Sequence, residues 1–196
     1  MTGILKYRSL WQTLICVLLI VVGVNRAEAS KYDEYIDSLK AVIPEQVDTV
    51  KLASIVELDN YLASSAPKEI IPYLEEGLDI AAELDHLYYR GRMFNLRGTA
   101  RYYLAEYDEA KADWQRAIEI FDQIPEDEYM LDVRNRLAHS TSLMNLGVVS
   151  RMRGEYSDAL EYYQRSLEIR KGTGYKEGVA ACYINIAKVY VDNKND

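Results

Sequence analysis

Catalysis needs side chains that converge, and the reactive residues of this 196-residue sequence do not follow a converging pattern. It has two histidines, His86 and His139, far apart and without the His-x3-His or Cys/His spacing that holds zinc. Each reads as a surface residue between helices. Ser140-Thr-Ser142 supplies hydroxyls but no Gly-x-Ser-x-Gly elbow, and no glycine-rich phosphate loop or kinase signature occurs. Adjacent carboxylates such as Glu75 and Glu76 are what a solvated helix face presents. Glu126, Asp127, Glu128 and Asp132 carry enough charge for calcium, but the ligand spacing and glycine turn of a calcium loop are missing. A lengthened helix or a solvated loop is expected there. No catalytic residue, metal ligand or cofactor is assigned, and an enzyme is not expected. What remains is binding.

The elements that would position a binding surface are legible as a repeat. Leu58, Gly98, Gly147 and Ala187 recur at steps of 40, 49 and 40 residues within similar surroundings. Gly98 to Ala110 parallels Gly147 to Ala159. Each is followed by an aromatic four residues on (Trp114, Tyr163) and a small residue three further (Ala117, Ser166). A period of this length signals stacked helical units that bury their apolar faces only against neighbours. Helices approach closely where small side chains meet, so Gly98 is expected to face Ala117, and Gly147 to face Ser166. An interior helical glycine costs up to about 1 kcal/mol relative to alanine, which a packing need would explain. Gly154 and Tyr156 supply a helix stop and an aromatic wedge, and Ala159, Leu160, Tyr163, Leu167 and Ile169 follow helical spacing. No stretch alternates as a strand does. The class is all-α.

These residues resemble tetratricopeptide repeats of the long variety, with units of about 40 residues. Leu143, Leu146, Gly147, Gly154, Tyr156, Ala159, Leu160, Tyr163, Ser166 and Leu167 carry the resemblance best; residues 92–121 follow it with Ala105 in place of the turn glycine. The first unit is degenerate. The resemblance implies a right-handed α-solenoid of antiparallel helix pairs, with units near 48–86, 87–124 and 132–172 and an incomplete one at 175–196. It also implies a protein or peptide as partner. In long-unit members, asparagines just before the small residue of the first helix hold the ligand backbone. Asn145 and Asn185 match that place, and Asn95 lies one position earlier. By helical spacing Arg92, Tyr102, Arg151 and Lys188 are their groove neighbours, although Asn145 and Asn185 could equally bridge helices.

Composition sharpens this only a little. Seventeen tyrosines stand against two phenylalanines and two tryptophans. Tyr107, Tyr156, Tyr163, Tyr183 and Tyr190 fit the repeat as wedges or packing aromatics. Tyr88, Tyr89, Tyr102, Tyr103, Tyr162 and Tyr175 are split between packing and groove lining. With 23 basic and 31 acidic residues the chain is acidic, which disfavours nucleic acid as a partner. Its arginines cluster at Arg90, Arg92, Arg97, Arg101 and again at Arg134, Arg136, Arg151, Arg153; they read as helix faces paired with acids, or else as a basic strip for an acidic peptide.

Residues 1–29 read as a secretory signal: Lys6 and Arg8, an apolar run from Leu14 to Val24, then Ala27-Glu28-Ala29 as the cleavage site. An uncleaved anchor is the alternative. Loss of this segment would leave Cys182 as the sole thiol. Residues 30–47 read as an amino-terminal capping helix stopped by Pro44. Pro67 suits a helix start, and Pro72 should kink that helix or delay it. After Ala181 to Val191, residues 192–196 are expected to turn. An exported protein is inferred, periplasmic or anchored facing the periplasm, with the N-terminus or a missing C-terminal part as the candidate points of membrane attachment. The arrangement is similar to the exported front region of Bacteroidetes sensor and regulator proteins, which would make it the input region of a signalling protein; a stand-alone adaptor is the alternative.

Overall fold

A computed structural model of the chain describes residues 31–195, and all regular structure in them is helical. The signal-like segment, with Ala27 and Ala29, lies outside the described residues. The chain divides into two compact units, Met1–Glu45 and Gln46–Asp196. In the first, helix α1 covers residues 31–42 and passes into a 3-10 turn, Ile43–Glu45, that contains Pro44.

The second unit holds α2 (Asp48–Leu62), α3 (Pro67–Glu83), α4 (Leu87–Tyr103), α5 (Tyr107–Phe121), α6 (Glu126–Leu131), α7 (Val133–Met152), α8 (Tyr156–Lys171) and α9 (Lys176–Asn195). Helices α2 and α3, α4 and α5, α7 and α8 pack as neighbouring pairs, and α9 follows against α8. The first helices of successive pairs, α2, α4, α7 and α9, also touch in that order. This is the all-α stacked-pair architecture.

Local chemistry explains most boundaries. Pro67 opens α3, where its missing N–H would have no partner anyway. Pro72 does not delay that helix, which already starts at Pro67 and runs through it. The bond it forfeits would go to the carbonyl of Lys68, in the exposed first turn, where water can take its place. Gly154 ends α7 with φ of +75°, and Ala105 adopts the same left-handed conformation after α4, with φ of +62°.

The close crossings lie at the glycines, but their partners are aromatic rings rather than Ala117 and Ser166. A Cβ on Gly98 would stand 2.7 Å from Trp114 Nε1, and one on Gly147 would stand 2.5 Å from the Tyr163 ring. A large ring reaches across to the bare glycine backbone, a distance that a methyl or hydroxymethyl group does not span. Ala117 instead packs with Phe121, Ile124 and Ala138, while the Ser166 hydroxyl donates to the Ser140 carbonyl at 2.8 Å. Ala110 and Ala159 are fully buried at the starts of α5 and α8. Leu58 is buried too, whereas Ala187 is exposed.

Three further expectations are corrected. The acids after Pro125 do start a helix at Glu126, but it is the separate short helix α6 rather than a lengthened one or a loop; Asp132 then caps α7 by accepting the Arg134 backbone N–H at 2.8 Å. His139 is not at the surface: it is 5% exposed, stacked on Phe121 with ring centroids 5.6 Å apart. Helix α9 continues through residues 192–195 because Asp192-Asn-Lys-Asn contains no glycine or proline to break it.

Candidate functional site

The clearest recess on the face made by the first helices lies between α4 and α7. It encloses about 210 Å³ and is lined by Thr99, Tyr102, Tyr103, Trp114, Asn145 and Val148. Gly98 and Gly147 let the rings of Trp114 and Tyr163 settle onto their helices, and residues one or two positions away from each glycine line the recess. Tyr102 packs edge-on against Tyr103 and Tyr107 and tilted against Trp114, with ring centroids about 6 Å apart, which builds an aromatic wall. Opposite it, Asn145 Nδ2 reaches Thr99 Oγ1 at 3.5 Å, a long bond that an occupant could replace. The Thr99 hydroxyl itself donates to the Asn95 carbonyl at 3.0 Å. The recess therefore offers an apolar aromatic floor and one half-buried amide.

Of the residues singled out from the sequence, Tyr102 and Asn145 share this recess. Asn95 does not. It is 1% exposed, and its Nδ2 donates to Ser142 Oγ at 2.5 Å, bridging α4 to α7. One residue of offset turns a helical side chain by 100°, enough to move Asn95 from the face into the interior. Arg92 is half-buried near Asp59 of α2, a carboxyl that is 4% exposed with Oδ1 unpaired. Burial pushes the Asp59 pKa up to about 7, against the pull of Arg92. Arg151 donates to Asp192 on α9 at 2.5 Å, and Asn185 Nδ2 lies 3.2 Å from Met144 Sδ. Lys188 is exposed on α9.

Most of the clustered arginines bond to acids or carbonyls within the fold. Arg97 and Arg101 both donate to Asp113, Arg134 to Asp132, Arg153 to Asp108, and Arg136 to the Gly172 carbonyl. Among the tyrosines, Tyr102 and Tyr103 line the recess, whereas Tyr88 and Tyr89 line a different, more polar cavity of about 370 Å³ with His86 and Arg134. Tyr162 packs onto the core around Trp114 and Leu146. Tyr175 lies against the Arg170 guanidinium. Of the expected packing aromatics, Tyr163 is fully buried but Tyr183 and Tyr190 are exposed.

Thr99 and Val148 were not anticipated, although the repeat carried the signal: each sits one residue past its glycine, in the same register. Another cavity, about 310 Å³, collects Phe121, Asp122, Tyr129 and His139. Tyr129 Oη lies 3.1 Å from His139 Nδ1. Burial holds the imidazole pKa down to about 4 despite Asp122, so it is neutral at pH 7. Among the described residues there is no cluster of three metal-ligating side chains, and no helix is long and apolar enough to cross a membrane.

Residues 138–195, from within α7 through α9, match the family model of the tetratricopeptide repeat. No curated protein matches the chain. Repeats of this family generally mediate contacts between proteins.

Proposed function

We propose that this tetratricopeptide-type repeat protein captures an extended peptide segment of a partner protein in the recess between α4 and α7. The observation that carries the reading is the pairing of an aromatic wall, Tyr102 and Trp114, with the Asn145 amide across one small cavity. Rings give contact area at low entropic cost, and a side-chain amide can both donate to and accept from a peptide backbone. Asn185 and Lys188 on α9 extend the same face by one unit. No hydrolytic or transfer chemistry is part of the proposal.

The proposed setting is outside the cytoplasm, as the exported input region of a signalling protein of the histidine kinase or transcriptional regulator type, periplasmic or anchored facing the periplasm. The basic start, apolar run and Ala27-Glu28-Ala29 of the sequence support export. The test is peptide selection from a random display library on the intact protein, followed by titration of the best binder. Asn145→Ala is expected to weaken it about tenfold with an unchanged melting temperature. Equal affinity for both forms, or no selectable peptide, overturns the reading.

A further inference from the structure

Helix α9 buries one face and leaves the other open. Cys182 and Val189 are fully buried, while Tyr183, Ile184, Tyr190 and Val191 are each more than half exposed. The open face is anomalous within the repeat. The residues in the register of Ile184 in the three earlier first helices, Ile55, Asn95 and Met144, are 0%, 1% and 7% exposed, against 56% for Ile184. Ala187, in the register of Gly98 and Gly147, is exposed.

The order of residues on this face is specific. Glu177, Ala180, Ile184, Ala187, Val191 and Lys194 are all exposed and follow one another at alternating steps of three and four, the spacing of a two-helix seam. Read against the same helix in reverse, the stripe complements itself layer by layer. Ile184 meets Ala187, Val191 meets Ala180, and Glu177 meets Lys194. Each apolar layer joins one large and one small side chain, and each end joins opposite charges.

We propose that this stripe is a self-association surface, on which α9 of a second copy of the chain packs antiparallel about a two-fold axis. Such an interface is isologous, so every contact occurs twice. One helix seam is smaller than a standard interface, which makes the dimer weak and dependent on concentration. Tyr183 and Tyr190 flank the seam and cover its edge.

Sedimentation velocity of the full chain at low ionic strength, up to about 100 micromolar, tests this, because weak seams populate only at such concentrations. A monomer–dimer equilibrium is expected. Glu177→Lys or Lys194→Glu alone places like charges together at both ends and weakens the dimer about threefold to tenfold. The double variant, E177K with K194E, restores it. Ile184→Glu, at a surface position, yields monomer with an unchanged helical circular dichroism spectrum. A wild-type monomer throughout the range would reserve the face for a different partner or for another helix, and overturns the proposal. So does association indifferent to the charge reversals, or a double variant without rescue.

Discussion

The pairs α4–α5 and α7–α8 share one frame and fill it with opposite chemistry. In both, an aromatic of the second helix lies on a glycine of the first, Trp114 on Gly98 and Tyr163 on Gly147. Seven residues further along the second helix, the first pair places Phe121 and the other places Arg170. Their partners change in step. Phe121 lies against Gly91, 2.9 Å from where a Cβ would stand; in the same register, Arg170 Nε donates to Ser140 Oγ at 3.1 Å. Arg170 is 7% exposed, and no carboxylate among the described residues pairs with it; its other contacts are the Gly178 carbonyl at 3.2 Å and the face of Tyr175. The first pair puts its buried charge elsewhere, on Asp113, which receives Arg97 through two bonds of 2.7 and 2.9 Å and Arg101 at 2.9 Å. Backbone proximity at the glycine is thus fixed, while the next layer accepts either an apolar or an ionic occupant provided its partner is chosen to match.

The fixed part of that comparison should be the most fragile. Gly147→Leu drives a side chain into the Tyr163 ring and is expected to cost about 3 kcal/mol; Gly98→Leu should cost a similar amount through Trp114. Chemical denaturation measures both, and an unchanged midpoint for either would remove the contact from the shared frame. The exchangeable part predicts coupling. Arg170→Phe alone meets the Ser140 side chain, whereas Arg170→Phe with Ser140→Gly transplants the Phe121–Gly91 contact into the other pair. The double variant should be more stable than the sum of the singles by about 1 kcal/mol in a double-mutant cycle; additivity would mean that the two pairs do not share this layer. The smallest effect is at the turns. Ala105 holds the left-handed conformation that Gly154 adopts without a Cβ. Ala105→Gly should therefore raise stability by about 0.5 kcal/mol, the relief of strain outweighing the added freedom of the unfolded chain. A lower melting temperature for this variant would contradict the equivalence of the two turns.

The frame was legible because glycine inside a helix is conspicuous and the aromatic sixteen residues later recurs in both units. Its partner was misread, since residue spacing marks Ala117 and Ser166 as small without showing which side chain leans into the gap. The site was legible in part. Asn145 and Tyr102 reach a common recess, but Asn95 differs from the groove register by a single residue, and rotation about the helix axis decides its fate. The burial of His139 was invisible for another reason. It depends on Tyr129, which belongs to a six-residue helix too short for its periodicity to stand out, and on tertiary contact that no local pattern encodes.

That short helix has a consequence for how the array keeps step. An insertion of nine residues relative to the 40-residue spacing would ordinarily be trimmable, a slack excursion between two cylinders. Here Tyr129 closes over His139 and packs with Phe121 and Ala138. Helix α6 therefore behaves as a splint set across the seam between adjacent pairs. Restoring the shorter step would uncover an imidazole and a phenyl ring, so the longer stride is locked in by what it shields.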